Sequence, residues 1–184
     1  MTGSKSYQLV VMLLLLFVLF KTIKVQAQAV EEIGGISELN GSAQIYRDKP
    51  LDATLKFGIQ SNDEAITSNG RMAITFLDDS KVTLTEHSQL LIDEYIYDPD
   101  PSKAKMALTF GLGTVRFVTG NLNKIDKQNI TLKTPTANLA IRGTMFSVTV
   151  DELGKSLIIL LPDALGLSSG EIEVVTAMGS VLLN

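Results

Sequence analysis

Thr134-Pro135-Thr136-Ala137-Asn138-Leu139-Ala140-Ile141-Arg142-Gly143-Thr144 lies between two runs of alternating apolar and polar residues, and its reading decides the fold. Pro135 lacks a backbone donor and has a fixed φ, which suits an edge or the first position of a strand rather than a ladder interior. Beyond it Ala137, Leu139 and Ile141 alternate with Asn138, Ala140 and Arg142, the period of a strand buried on one face. Gly143 then interrupts the run before residues 145–150 resume it. A glycine there allows a bulge or bend that other residues resist.

The same pattern extends in both directions. From Val30 onward there is almost no helical periodicity and turn signals recur at short intervals, as in an all-β domain. Upstream, Ile130 and Leu132 lead into the central stretch. Before them Val115 and Phe117, and Met106, Leu108 and Phe110, alternate with other residues on either side of a corner at Gly111-Leu112-Gly113. Val82 and Leu84 point inward, and Leu90, Ile92 and Glu94 share one side of a strand over 89–97. Asn69-Gly70, between alternating runs, reads as a tight hairpin turn, and Asn40-Gly41 reads the same way between 36–39 and 43–46. Residues 98–103, with two prolines, read as a surface loop, and so does the polar stretch 119–128. Downstream, 155–161 is a continuous apolar run short enough for a fully buried strand, and Pro162 stops it. Strands over 172–176 and 181–183 follow, and the chain closes there without a polar tail, which fits a minimal domain or a truncated reading frame. The expected fold is all-β: short antiparallel strands in a rolled domain, solenoid-like or sandwich-type.

The length of 184 residues fits one domain after a targeting segment. Cysteine is absent, which excludes disulfides, thiolate metal sites and cysteine catalysis. Residues 1–29 form a separate unit, with Lys5 ahead of the apolar run 9–20 and Ala27-Gln28-Ala29 as a small-x-small cleavage pattern. The run is shorter than the ~20 residues of a spanning helix. A signal peptide cleaved after Ala29 is the first reading. Lys21 and Lys24 support the alternative, an uncleaved anchor helix with membrane contact only through 9–20. The remaining domain, 30–184, carries 13 basic and 20 acidic residues, a net charge of −7, which argues against a nucleic-acid partner.

Four segments together carry a family resemblance: Ala65-Ile66-Thr67, Phe76-Leu77-Asp78-Asp79-Ser80, the pair of runs over 108–117 with Gly111 and Gly113, and Thr134-Pro135 through Arg142-Gly143-Thr144. With them the chain resembles the FecR domain family of bacterial periplasmic proteins, from about Gly41 to the C-terminus. The core signature covers about 41–150 and a β extension covers 151–184. The signature residues Thr134, Pro135, Ala137, Arg142, Gly143 and Thr144 read as structural. One departure is Asp79, where the family's turn has glycine, because Asp tolerates a left-handed conformation less well. The other is that only residues 1–8 precede the apolar run, whereas regulatory members carry a cytoplasmic segment that contacts a sigma factor. The resemblance therefore implies an exported, non-enzymatic module for protein interaction or ligand sensing in cell-envelope signalling, with no cofactor. It would be periplasmic or secreted, or else anchored in the inner membrane facing the periplasm, and its partner a TonB-dependent receptor or a secreted protein. The alternative is a secreted structural or adhesive envelope module that binds glycans.

No catalytic constellation emerges from the residues. His87, the only histidine, has Glu86 and Ser88 beside it, but adjacent strand residues face opposite sides. Asp78-Asp79, Asp93-Glu94 and Asp98-Pro99-Asp100 lack the spacing of a Ca²⁺ loop and read as turn and surface carboxylates. Arg142 is expected to anchor structure by forking its guanidinium onto carbonyls or a carboxylate of a neighbouring turn. Open sheet edges, able to accept an added strand, are the expected functional surface.

Overall fold

The alternating runs pair into a single sheet of thirteen strands in the computed structural model, which describes residues 31–98, 100, 103–120, 130–143, 145–162, 166–167 and 170–184. The signal or anchor segment 1–29, Thr144 and parts of the loops 98–103 and 119–128 lie outside the described residues. The strands are β1 Gly34–Arg47, β2 Lys49–Asp52, β3 Gly58–Ile59, β4 Glu64–Phe76, β5 Lys81–Leu84, β6 Gln89–Ile96 and β7 Lys105–Val118. They continue with β8 Ile130–Lys133, β9 Asn138–Arg142, β10 Met145–Val150, β11 Ser156–Leu161, β12 Glu171–Thr176 and β13 Gly179–Leu183. The described residues contain no helix, in keeping with the all-β expectation. Among the described strands every pairing is antiparallel except that of β7 with β8.

Three of the strands are long, and their registers show how the sheet rolls. The early part of β4 pairs with β6 and its later part with β5. β7 does the same in reverse, with β6 along its first part and β5 along its last. β1 follows β4 almost end to end. One half of the sheet continues from β7 through β8, β9, β12 and β13, and the other through β10 and β11. The halves face each other across one core: Phe76, at the end of β4, stacks on Tyr95 of β6 with ring centroids 5.3 Å apart. Phe110, Phe117 and Phe146 are fully buried there, and each side chain of this size contributes about 1.5–3 kcal/mol.

The Asn-Gly dipeptides are not hairpin turns. Gly41 and Gly70 sit opposite each other inside β1 and β4, with φ of 81° and 150°. A Cβ on Gly41 would lie 1.9 Å from the Asn69 carbonyl oxygen, and one on Gly70 would lie 2.0 Å from that of Asn40. The missing side chains let the two strands bend together, with a bulge between Gly41 and Ala43, so the dipeptides make the corner of the sheet. Two further expectations change. A bulge between Ile92 and Glu94 shifts the alternation, so Tyr95 is buried and Glu94 is not. The apolar run 155–161 is not fully buried: β11 pairs only with β10 among the described residues, and Leu157 and Ile159 are exposed.

Candidate interaction edges

The central stretch starts as a hairpin turn between β8 and β9 rather than as a strand. Thr134 N–H donates to the Ala137 carbonyl at 2.8 Å, and its hydroxyl receives the Ala137 N–H at 3.0 Å, which leaves Pro135 exposed at the tip. Thr134 and Thr136 each lie 2.8 Å from the Ser156 hydroxyl, tying this turn to the start of β11 in the other half of the sheet. Ala137, Leu139 and Ile141 are buried, in step with the alternation. Arg142 donates to Glu171 at 2.6 Å, so the carboxylate comes from the strand register-paired with β9, not from a turn. At Gly143, with φ of 47°, the chain passes from β9 in one half to β10 in the other. The chain comes back to β12 through Gly170, where a Cβ would lie 2.2 Å from the Arg142 carbonyl oxygen and 2.3 Å from that of Gly143. The two crossings pack backbone against backbone.

The other polar candidates are engaged locally. His87 is exposed in the turn that separates β5 from β6, with φ of 53°, and its N–H donates to the Ser68 carbonyl. It borders an open cleft of roughly 290 Å³ with Glu86, Asp151 and Glu152, yet no three His, Asp or Glu converge to hold a metal among the described residues. A second cleft, roughly 390 Å³ between the Thr134–Asn138 turn and Val175–Ala177, has neither a charged nor an aromatic side chain in its lining. Asp93 accepts from Thr109 at 2.7 Å, Glu94 pairs with Lys105 at 2.6 Å, and Asp98 accepts the Asp100 N–H. Asp78 is fully buried and accepts from the hydroxyls of Tyr95 and Ser80, while its own N–H donates to the Tyr95 oxygen at 3.0 Å. Burial, then the Asp78 charge, holds the Tyr95 phenol above its ordinary range. Asp79 adopts the left-handed conformation in place of glycine, with φ of 65°. Asp63 is also fully buried, gripped on both oxygens by Arg47 at 2.6 Å, and that hydrogen bond raises the Arg47 pKa.

What stays open is backbone. The β2 edge carries Lys49, Pro50 and Asp52, residues that discourage strand addition. At the far ends of the two halves, β11 and β13 each have one partner among the described residues and no charged residue. On β13 Val181 is 58% and Leu182 51% exposed, and Met178 at the hairpin tip is 99% exposed. The family described as FecR protein matches residues 63–181, beginning at Asp63 rather than near Gly41 and ending within β13. No curated protein and no solved structure matches the chain.

Proposed function

The chain belongs to the FecR protein family, whose role is tied to envelope signalling, and from that premise we propose that residues 30–184 form an exported, non-enzymatic interaction module of the bacterial cell envelope. It works in the periplasm or after secretion, free or held by the 9–20 segment. The observation that carries this reading is the β12–β13 hairpin: an uncharged terminal strand with Val181 and Leu182 half-exposed and, among the described residues, no strand along its second side. Such an edge accepts an extended segment of another protein, with main-chain hydrogen bonds supplying affinity and alternate side chains specificity. The partner is the periplasmic segment of a TonB-dependent receptor or a secreted envelope protein, and binding it is the sensing event. Glycan adhesion finds less support, because neither cleft presents an aromatic platform.

The test is capture from envelope extract with the wild-type chain and with Val181→Lys, which puts a charge on the inner side of the edge where it opposes strand addition. The wild type is expected to retain a receptor or secreted protein that the variant loses, at an unchanged melting temperature. Equal capture by both, or capture of neither class of protein, would sink the reading.

A further inference from the structure

The second open edge differs from the first in its symmetry. β11 holds no charge from Ser156 to Leu161, and its neighbour β10 holds none from Met145 to Val150. Leu157 and Ile159 stand on the outer face, 59% and 46% exposed, while Ile158 and Leu160 pack partly buried against the core. Isolated edges of this kind are hazards that proteins blunt with Lys, Pro or a covering strand, and β2 shows the first two devices in this fold. β11 has neither.

We propose that β11 is covered by β11 of a second copy of this chain, paired antiparallel about a two-fold axis through Ile159. In that register Ile159 faces Ile159, Leu157 faces Leu161 and Ile158 faces Leu160. Paired positions keep to the same face, so both faces of the joint are apolar against apolar, and the contact is isologous as a two-fold requires. The charge balance selects the same occupant: an uncharged edge backed by an uncharged strand gives nothing to a charged partner segment, and β11 itself is uncharged throughout. The β13 edge offers only a shorter joint: turned on itself about Leu182 it sets Leu182 against Leu182 and Val181 against Leu183, but Ser180 then meets Asn184. With the axis at Ile159 the ladder runs over five residues, 157–161, small beside the ~800 Å² per partner of stable complexes, so the pairing is weak and concentration-dependent.

The chain contains no cysteine, so Ile159→Cys supplies a single thiol whose only route to a disulfide is another molecule. Full-length protein in mild detergent is oxidised and the dimer band followed against concentration. Ile159→Cys is expected to cross-link several times faster than Thr83→Cys, which lies on the interior strand β5. Adding Leu157→Lys and Leu161→Lys is expected to slow it to that control rate with the fold retained by circular dichroism. Equal rates for Ile159→Cys and Thr83→Cys overturn the proposal. So does cross-linking of Ile159→Cys to a different protein in extract while the purified chain stays monomeric. Val181→Lys leaves this cross-link unchanged, so the reading of β13 and that of β11 fail separately.

Discussion

A single phenol oxygen joins the two halves of the sheet. Tyr95 O–H donates to the Asp78 carboxylate and the same oxygen accepts the Asp78 N–H, both at 3.0 Å, in a site closed to solvent. Tyr95→Phe keeps the ring stacked on Phe76 but leaves a buried carboxylate and a buried N–H each short of a partner, a loss of about 1–3 kcal/mol. The pH dependence follows from the raised phenol pKa. Below the unfolded value of about 10 the proton is bound in both states and stability does not change with this group; above it only the unfolded chain releases the proton, so stability falls by about 1.4 kcal/mol per pH unit. Urea midpoints between pH 8 and 11 are expected to fall more steeply for the wild type than for Tyr95→Phe; parallel curves would contradict the coupling. This residue was hidden from sequence reading, since strict alternation from Leu90 and Ile92 points to Glu94, and the bulge that moves Tyr95 inward has no local signal. The turn over 77–80 was legible, but Asp79 in place of glycine argued against its left-handed conformation, which the residue adopts all the same, with φ of 65°.

At the scale of the strand, the corner glycines separate two readings of one dipeptide. An Asn-Gly hairpin turn needs positive φ at both central residues, so its asparagines matter. Here only the glycines have positive φ, and Asn40 and Asn69 are exposed. Gly41→Ala or Gly70→Ala is expected to cost about 3 kcal/mol, through left-handed strain and a clash with the opposite carbonyl. Asn40→Ala and Asn69→Ala should each stay within ~0.5 kcal/mol. Thermal melts that rank the asparagines as the costly pair would restore the hairpin. The choice was not available from the sequence because it depends on register between strands some thirty residues apart, here Gly41 against Gly70. β11 misled for a related reason: a run apolar on both faces looks buried, and only the strand pairing shows that, among the described residues, β10 lies along one side of it and no strand along the other. The alternation over 137–142, by contrast, carried directly into the burial of Ala137, Leu139 and Ile141.

For the whole molecule, the question is how much chain the family's fold needs. The matched span begins at Asp63, immediately before β4, yet β1 lies along nearly all of β4 and supplies Ile36 and Ile45 to the common core, with Ile59 added from β3. Asp63 itself is buried on the guanidinium of Arg47, which lies outside the span. Removing residues 31–62 thus takes four isoleucines, Ile33, Ile36, Ile45 and Ile59, out of the core at about 1.5–3 kcal/mol each and strands a buried carboxylate at about 3–5 kcal/mol. Together these rival the 5–15 kcal/mol that stabilises an ordinary domain. Residues 63–181 expressed alone are therefore expected to show no cooperative melt by circular dichroism, and Arg47→Ala in the full chain to lower the midpoint sharply while leaving the fold cooperative. A cooperative melt of the isolated span near the full-chain midpoint would mean that β1 is an accessory strand and that Asp63 finds another partner. If the melt is absent, β1 is part of the folding unit.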